Sequence, residues 1–238
     1  GNVLAFNRAI DERTLIPALE VTSSEEVHVL AYFGTFRDAA IFNSKINEYL
    51  PKLPYNPELM GYQMYVNSQD RFTGIENRFL GSALLLNLPQ LIELIIKYKG
   101  IPAYAHIERR FGVLFQLGLF PRDERVKIVE ARTIDGWRKA TEYGYAVLSN
   151  SDSHHPDEIG CRFTRLRVQH ANQRAIYETL KEACRRKIRS VWIKDIIRPH
   201  NGHISKCLGF RCIKNTCDYR GVRFLVCFHS VRQWKRYD

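Results

Sequence analysis

Asp152, Ser153 and His154 follow the apolar run Tyr145-Ala146-Val147-Leu148, in the stretch Leu148-Ser149-Asn150-Ser151-Asp152-Ser153-His154-His155-Pro156. In a strand, residues two apart point to the same face, so the Asp152 carboxylate and the His154 imidazole could aim at one cation. Both ligand types suit a zinc, manganese or iron centre. Three upstream residues belong to the same chemistry. Glu20 interrupts the otherwise apolar run Leu15 to Val21, and a buried carboxylate calls for a cation, a donor network or an exposed strand end. His106 closes the run from Ile101 to Ala105, and His28 stands near the start of the run from Val27 to Phe33. Each alone reads as an ordinary hydrogen-bonded residue, but five such groups at strand ends point jointly to a metal site. His155 and His170 are assigned to solvent.

The elements that must position these side chains follow from periodicity. Leu15 to Val21 and Val27 to Phe33 read as buried strands, the second closed by Gly34. Residues 36–50 read as helical and stop at Pro51, and residues 51–79, broken by Pro and Gly among aromatics, read as an irregular excursion. Asn87 is a good N-cap for a helix whose stripe is Leu88, Leu91, Ile92, Ile95 and Ile96, with Lys97 and Lys99 in its last turn and Gly100 ending it. Strands follow at Ile101 to His106, Lys127 to Ala131 and Tyr145 to Asn150, with helices at residues 135–143 and 171–187. The last helix turns Ile176, Leu180, Ala183 and Ile188 inward. Strands alternating with helices, several of them continuously apolar, predict an α/β protein with a parallel sheet or barrel buried on both faces. Glu20, His106, Asp152 and His154 all fall at the C-terminal ends of apolar runs, where barrels carry their active sites.

The bulk numbers narrow the class. The chain has 238 residues and 45% hydrophobic content, enough for a large core. No apolar run approaches the ~20 residues of a membrane span. With no secretory signal in sight, a reducing cytoplasm and free thiols are expected. The net charge of +11 is uneven: residues 161–238 hold 19 Lys and Arg against 5 Asp and Glu. Four of the six cysteines also lie after Pro199. The periodicity dissolves there, so the chain divides into a body, residues 1–190, and a basic, cysteine-rich tail, residues 191–238. A basic tail permits contact with nucleic acid.

Ala18-Leu19-Glu20-Val21-Thr22, followed by His28-Val29-Leu30-Ala31-Tyr32-Phe33, resembles the G-x-E…H-x-L-x-Y-F portion of the PHP (polymerase and histidinol phosphatase) superfamily. Ala105-His106-Ile107 is similar to its A-H-P motif, and Ser151-Asp152-Ser153-His154 to its S-D-x-H motif, with Ile159-Gly160 after it. The resemblance covers about residues 10–190. It implies a distorted (β/α)7 barrel holding up to three divalent metals, Mn, Zn or Fe, and hydrolysis of phosphate esters by metal-activated water. It further implies that Glu20 bridges two metals, that His28 and His106 complete one of them, that Asp152 binds the other and that His154 binds a third. Arg109, three residues after His106, would pair a substrate phosphate. The family's opening H-x-H and T-D-H motifs do not precede Glu20, Asn2 to Asp11 resembles the helix that follows T-D-H, and the chain starts at Gly1 rather than Met. A barrel incomplete at its N-terminus, in a shortened chain of reduced activity, is therefore the expectation. The competing expectation is a PHP-like module without catalysis that contacts nucleic acid through the basic tail. Nucleotide, oligonucleotide, sugar-phosphate and amino-alcohol-phosphate substrates all remain open.

Overall fold

The structure, a computed structural model, describes residues 15–155, 158–164, 166, 168, 170 and 172–185. The expected helix over Asn2 to Asp11 and the tail from residue 191 lie outside the described residues.

Strand β1 (Ala18–Thr22) turns directly into β2 (His28–Tyr32), and the two pair antiparallel. The short link explains the direction: a parallel return needs a crossover of about a dozen residues or more. Here the Ser23 N–H donates to Val27 O at 2.9 Å, and Glu26 takes a left-handed φ of 61° to close the turn. Helix α1 (Phe36–Ile46) follows, capped by the Thr35 hydroxyl, which accepts from the Asp38 N–H. The excursion then holds a single helical turn, α2 (Pro57–Met60), and a small hairpin of β3 (Met64–Val66) and β4 (Phe72–Ile75).

Helix α3 (Leu88–Lys97) starts where the sequence placed it, with Asn87 and Gln90 forming a reciprocal capping box. Its end differs in detail. The left-handed seat is taken by Lys99 at φ 64°, whose N–H donates to Ile96 O, while the Gly100 N–H donates to Ile95 O. This is the paired bonding of a Schellman ending. Gly100 is needed for space: a Cβ there would lie 2.7 Å from Ile95 Cγ2 and 3.0 Å from a Phe33 ring carbon. Leu88, Leu91, Ile92, Leu94 and Ile95 are buried, whereas Ile96, expected on the stripe, is 41% exposed. Five buried aliphatic side chains at about 1.5–3 kcal/mol each outweigh the ~1 kcal/mol of the cap. Packing therefore holds α3, and the cap sets where it begins.

Strand β5 (Ile101–Tyr104) pairs antiparallel with β2 and parallel with β6 (Ile128–Glu130), which pairs parallel with β7 (Ala146–Leu148). The short helix α4 (Val113–Leu117) lies between β5 and β6, and α5 (Ile134–Glu142) between β6 and β7; α6 (Gln173–Arg185) follows. The sheet order is β1-β2-β5-β6-β7. The α/β reading stands, and strands alternate with helices from β5 onward; the expected parallel sheet is found for β5, β6 and β7 and is corrected for β1 and β2. Both pairings of β2 are antiparallel because the first two strands form a hairpin. Among the described residues the strands run in an open order, and closure into a (β/α)7 barrel is not part of the described fold.

Period-two alternation divides the core into two layers. Val29, Ala31, Val129 and Val147 join Phe42, Leu91, Ile95 and Ala140 of helices α1, α3 and α5 on one face. Leu30, Tyr32, Ile128, Ala146 and Leu148 meet Ile176, Leu180 and Ala183 of α6 on the other. Glu20, His28 and Glu130 share the parity of this second face.

Candidate metal centre

The register of the hairpin brings the first two candidates together. Thr22 pairs with His28, so Glu20, two residues back on the same face, is the diagonal neighbour of His28. The antiparallel course of β2 also puts its first residue at the end of the sheet where β1 and β5 finish. As the chain leaves β5, the Ala105 N–H donates to His28 O at 3.1 Å, which delivers the next residue, His106, to the same place. His106 leaves the strand geometry at φ 22°, and its carbonyl accepts from the Arg109 N–H at 2.8 Å. The loop then folds back: Phe111 stacks on the His28 ring at 4.7 Å, and its carbonyl accepts from the His28 N–H. Gly112 makes this possible, because a Cβ there would sit 2.3 Å from His106 O.

Three donor atoms converge. Glu20 Oε1 lies 2.9 Å from His28 Nδ1 and 3.2 Å from His106 Nε2, and the two nitrogens are 3.2 Å apart. His28 and His106 are 2% and 5% exposed. Burial alone would raise the Glu20 pKa, but contacts with His106 and His28 and their positive charge outweigh it and hold the carboxyl well below its usual range. Burial likewise opposes charge on His106, and the Glu20 hydrogen bond with the charges of Glu20, Asp152 and Glu130 reverses this and raises its pKa. Two N–H groups cannot both point comfortably into a space this small. One shared proton or one cation suits the three lone pairs.

The donor set fits a divalent ion. Bonds of ~2 Å from a common centre require donor atoms about 3 Å apart, and the triangle has edges of 2.9–3.2 Å. Two imidazoles with one carboxylate suit Mn, Zn or Fe. Among the described residues, Glu20, His28 and His106 form the group of acids, histidines and cysteines whose ligating atoms cluster in this way. The other ring nitrogen of His106, Nδ1, is buried without a hydrogen-bond partner.

The remaining sequence candidates stand beside this cluster. Asp152 lies after the end of β7 at φ 49°, outside strand geometry, so the two-residue alternation that would have aimed it with His154 does not operate. Its Oδ2 accepts from Arg109 Nη1 at 2.7 Å and Arg132 Nη1 at 3.3 Å. His154 is exposed, with Nδ1 turned back 2.9 Å from Asp152 O. Arg109 is half exposed and engaged with Asp152.

Two residues near the cluster were not singled out in the sequence. Glu130 ends β6, is 3% exposed, and has its carboxyl pushed up to about 7 by burial, with the Asp152 and Glu20 charges adding to the rise. Its signal was the one that revealed Glu20, an acid at the end of an apolar run. Arg132, two residues further, gave no signal beyond its charge.

The PHP-associated family matches residues 136–183, from α5 to α6. Among solved structures, the chain is similar to the crystal structure of the lesion-specific endonuclease PfuEndoQ from Pyrococcus furiosus. The identity is 19% and the TM-score 0.50, covering 69% of this chain and 38% of that one. No curated protein matches the chain. The family match over residues 136–183 and the shared fold agree with the resemblance carried by the motifs and support a relationship to the PHP superfamily. The chain spans 38% of the length of that endonuclease. No helix among the described residues is long and apolar enough to cross a membrane.

Proposed function

We propose that the chain is a PHP-type phosphoesterase in which Glu20, His28 and His106 hold a divalent cation. The observation that carries this reading is the convergence of one carboxylate oxygen and two imidazole nitrogens at 2.9–3.2 Å. A divalent cation at such a site supplies Lewis acidity and lowers the pKa of water from 15.7 to about 7, which makes hydroxide available at neutral pH. The side chains supply the rest. Glu20, ionised by its neighbours, offsets the cation's charge. The Phe111 ring against His28 and the returning loop fix the imidazole and limit water on that side. Arg109, on the same loop, is the group that would meet a phosphate oxygen. Nucleic-acid phosphodiesters are the substrate class we favour, supported by the fold shared with a lesion-specific endonuclease.

The test is a titration of Mn(II) into the full chain, followed by electron paramagnetic resonance, with hydrolysis of bis(p-nitrophenyl) phosphate and a labelled oligonucleotide measured alongside. The expected result is a bound Mn signal that Glu20→Gln and His106→Ala each weaken by at least about 100-fold, as loss of a direct ligand should exceed the 10–100-fold of an outer-shell change. Mn binding that survives both substitutions overturns the site. Mn binding without hydrolysis of either ester overturns the activity and leaves the site.

A further inference from the structure

The loop after β5 stacks three planar groups in a column. The Phe111 ring lies on the His28 imidazole, 4.7 Å between centroids and 11° from parallel. With that face taken, the Arg110 guanidinium lies over the ring on its other side, 4.8 Å from the centroid. The ring is held there against the preference of the main chain. Phe111 has a φ of 65°, in the left-handed region that bulky side chains rarely enter. Hydrogen bonds keep it there: Phe111 O accepts from the His28 N–H at 2.8 Å, and the Gly112 N–H donates to Arg109 O at 2.7 Å. Strain over-determined in this way gathers where a side chain is needed in one place. Arg110 also differs from its neighbour. Arg109 commits an Nη1 to Asp152, whereas Arg110 is exposed and, among the described residues, pairs with no carboxylate.

We propose that the Arg110 guanidinium, backed by Phe111, seats an unpaired nucleobase of the strand whose phosphodiester lies at the cation. The proposal rests on the phosphoesterase reading and deepens it: it names what the protein grips beside the reacting phosphate. A guanidinium is planar, delocalised and weakly hydrated, so it stacks on an aromatic face and still presents a second face to a base. Every base has a π-face, so such a seat tolerates sequence while demanding that the base be free of its own stack. The inner layers are fixed before a strand arrives, because His28 and the Gly112 turn leave the Phe111 ring no other position; less order is lost on binding. Separations of 4.7 and 4.8 Å keep the seat within about three base spacings of 3.4 Å from the His28 imidazole, close enough for a nucleotide next to the reacting bond.

The probes are a labelled single-stranded oligonucleotide containing 2-aminopurine and a strand of the same length with abasic sites. Each is titrated into the full chain with a chelator present and followed by anisotropy and 2-aminopurine emission. The wild type should bind the base-bearing strand about tenfold tighter than the abasic one, as stacked bases contribute at that level, and should quench the emission. Arg110→Gln should remove most of that preference and restore the emission. Arg110→Lys should not recover it, because it returns the charge without the plane. Phe111→Leu should lower the preference as well, and its Mn(II) binding reports whether the loop has kept its shape. Annealing a complement should abolish the dependence on Arg110. Equal wild-type affinity for the two strands, or no binding of either, overturns the proposal. So does an Arg110→Gln chain that loses affinity for both strands alike, or for the duplex as well, since Arg110 would then meet the backbone. Arg110 is exposed, so a folding failure would not explain these results. Mn(II) binding and hydrolysis of bis(p-nitrophenyl) phosphate, which carries no nucleobase, keep the two readings apart. If both hold in the wild type while the base preference is missing, the seat fails and the phosphoesterase stands. If the base preference is found without them, the seat stands and the phosphoesterase fails.

Discussion

Replacing Glu130 with glutamine should make the protein's stability less sensitive to pH. The carboxyl is buried at the end of β6, and its pKa is pushed up from 4.5 to about 7 by burial first, then by the charges of Asp152 and Glu20. A group whose pKa is higher in the folded state binds its proton more tightly there. Its stabilisation is full below the unfolded value and is lost as pH climbs through the folded one. The window is therefore pH 4.5 to about 7. Each pH unit between the two values is worth about 1.4 kcal/mol, so the full loss is about 3 kcal/mol. In a chain of this size that corresponds to a fall in Tm of about 6–12 °C. Urea denaturation of the wild type and of Glu130→Gln from about pH 4 to about pH 8 isolates the effect, since glutamine is neutral throughout. The stability difference, wild type minus variant, should fall by about 3 kcal/mol across the window. Added Mn(II) should shrink that fall, because a nearby cation favours the carboxylate. Parallel pH curves for the two proteins would show that Glu130 is not strained by ionisation and would refute the reasoning.

Mn(II) affinity should rise with pH through a value above the usual histidine range, because His106 must give up the proton that Glu20, Asp152 and Glu130 help it keep; a flat profile counts against His106 as a ligand. Gly112→Ala should cost about 1–3 kcal/mol and weaken Mn(II) binding, because the added Cβ meets His106 O at 2.3 Å; wild-type melting and binding would show that the loop yields freely. Asn87→Ala should cost about 1 kcal/mol through the lost cap of α3 and leave Mn(II) affinity unchanged; a change in affinity would mean that α3 transmits strain to the site.

The start of α3 was readable because its capping box is local, with both partners within four residues. Its end was less so: Gly100 marked the place, yet the left-handed conformation fell on Lys99 because the glycine was needed against Ile95 and Phe33. Glu20 and His106 stood out as polar residues in apolar runs. Which way the strands ran did not stand out, since apolar content carries no direction, although the five-residue link before β2 held the answer. Asp152 and His154 were read through a strand rule that stops applying after Leu148. Arg132 could not be found by pattern at all, because what places it beside the cluster is a contact with Asp152, 20 residues away.

Glu20 and His28 are eight residues apart in the chain, and His106 is 78 beyond His28. A hairpin alone can bring the first two together, but the third arrives only once β5 has found β2. To the unfolded chain, a cation held by all three side chains would be a removable cross-link at the base of a long loop. A covalent bridge spanning a loop of that size restricts the unfolded chain by on the order of 4 kcal/mol. A centre that held such an ion would then also act as a staple, released by a chelator and re-formed by the ion.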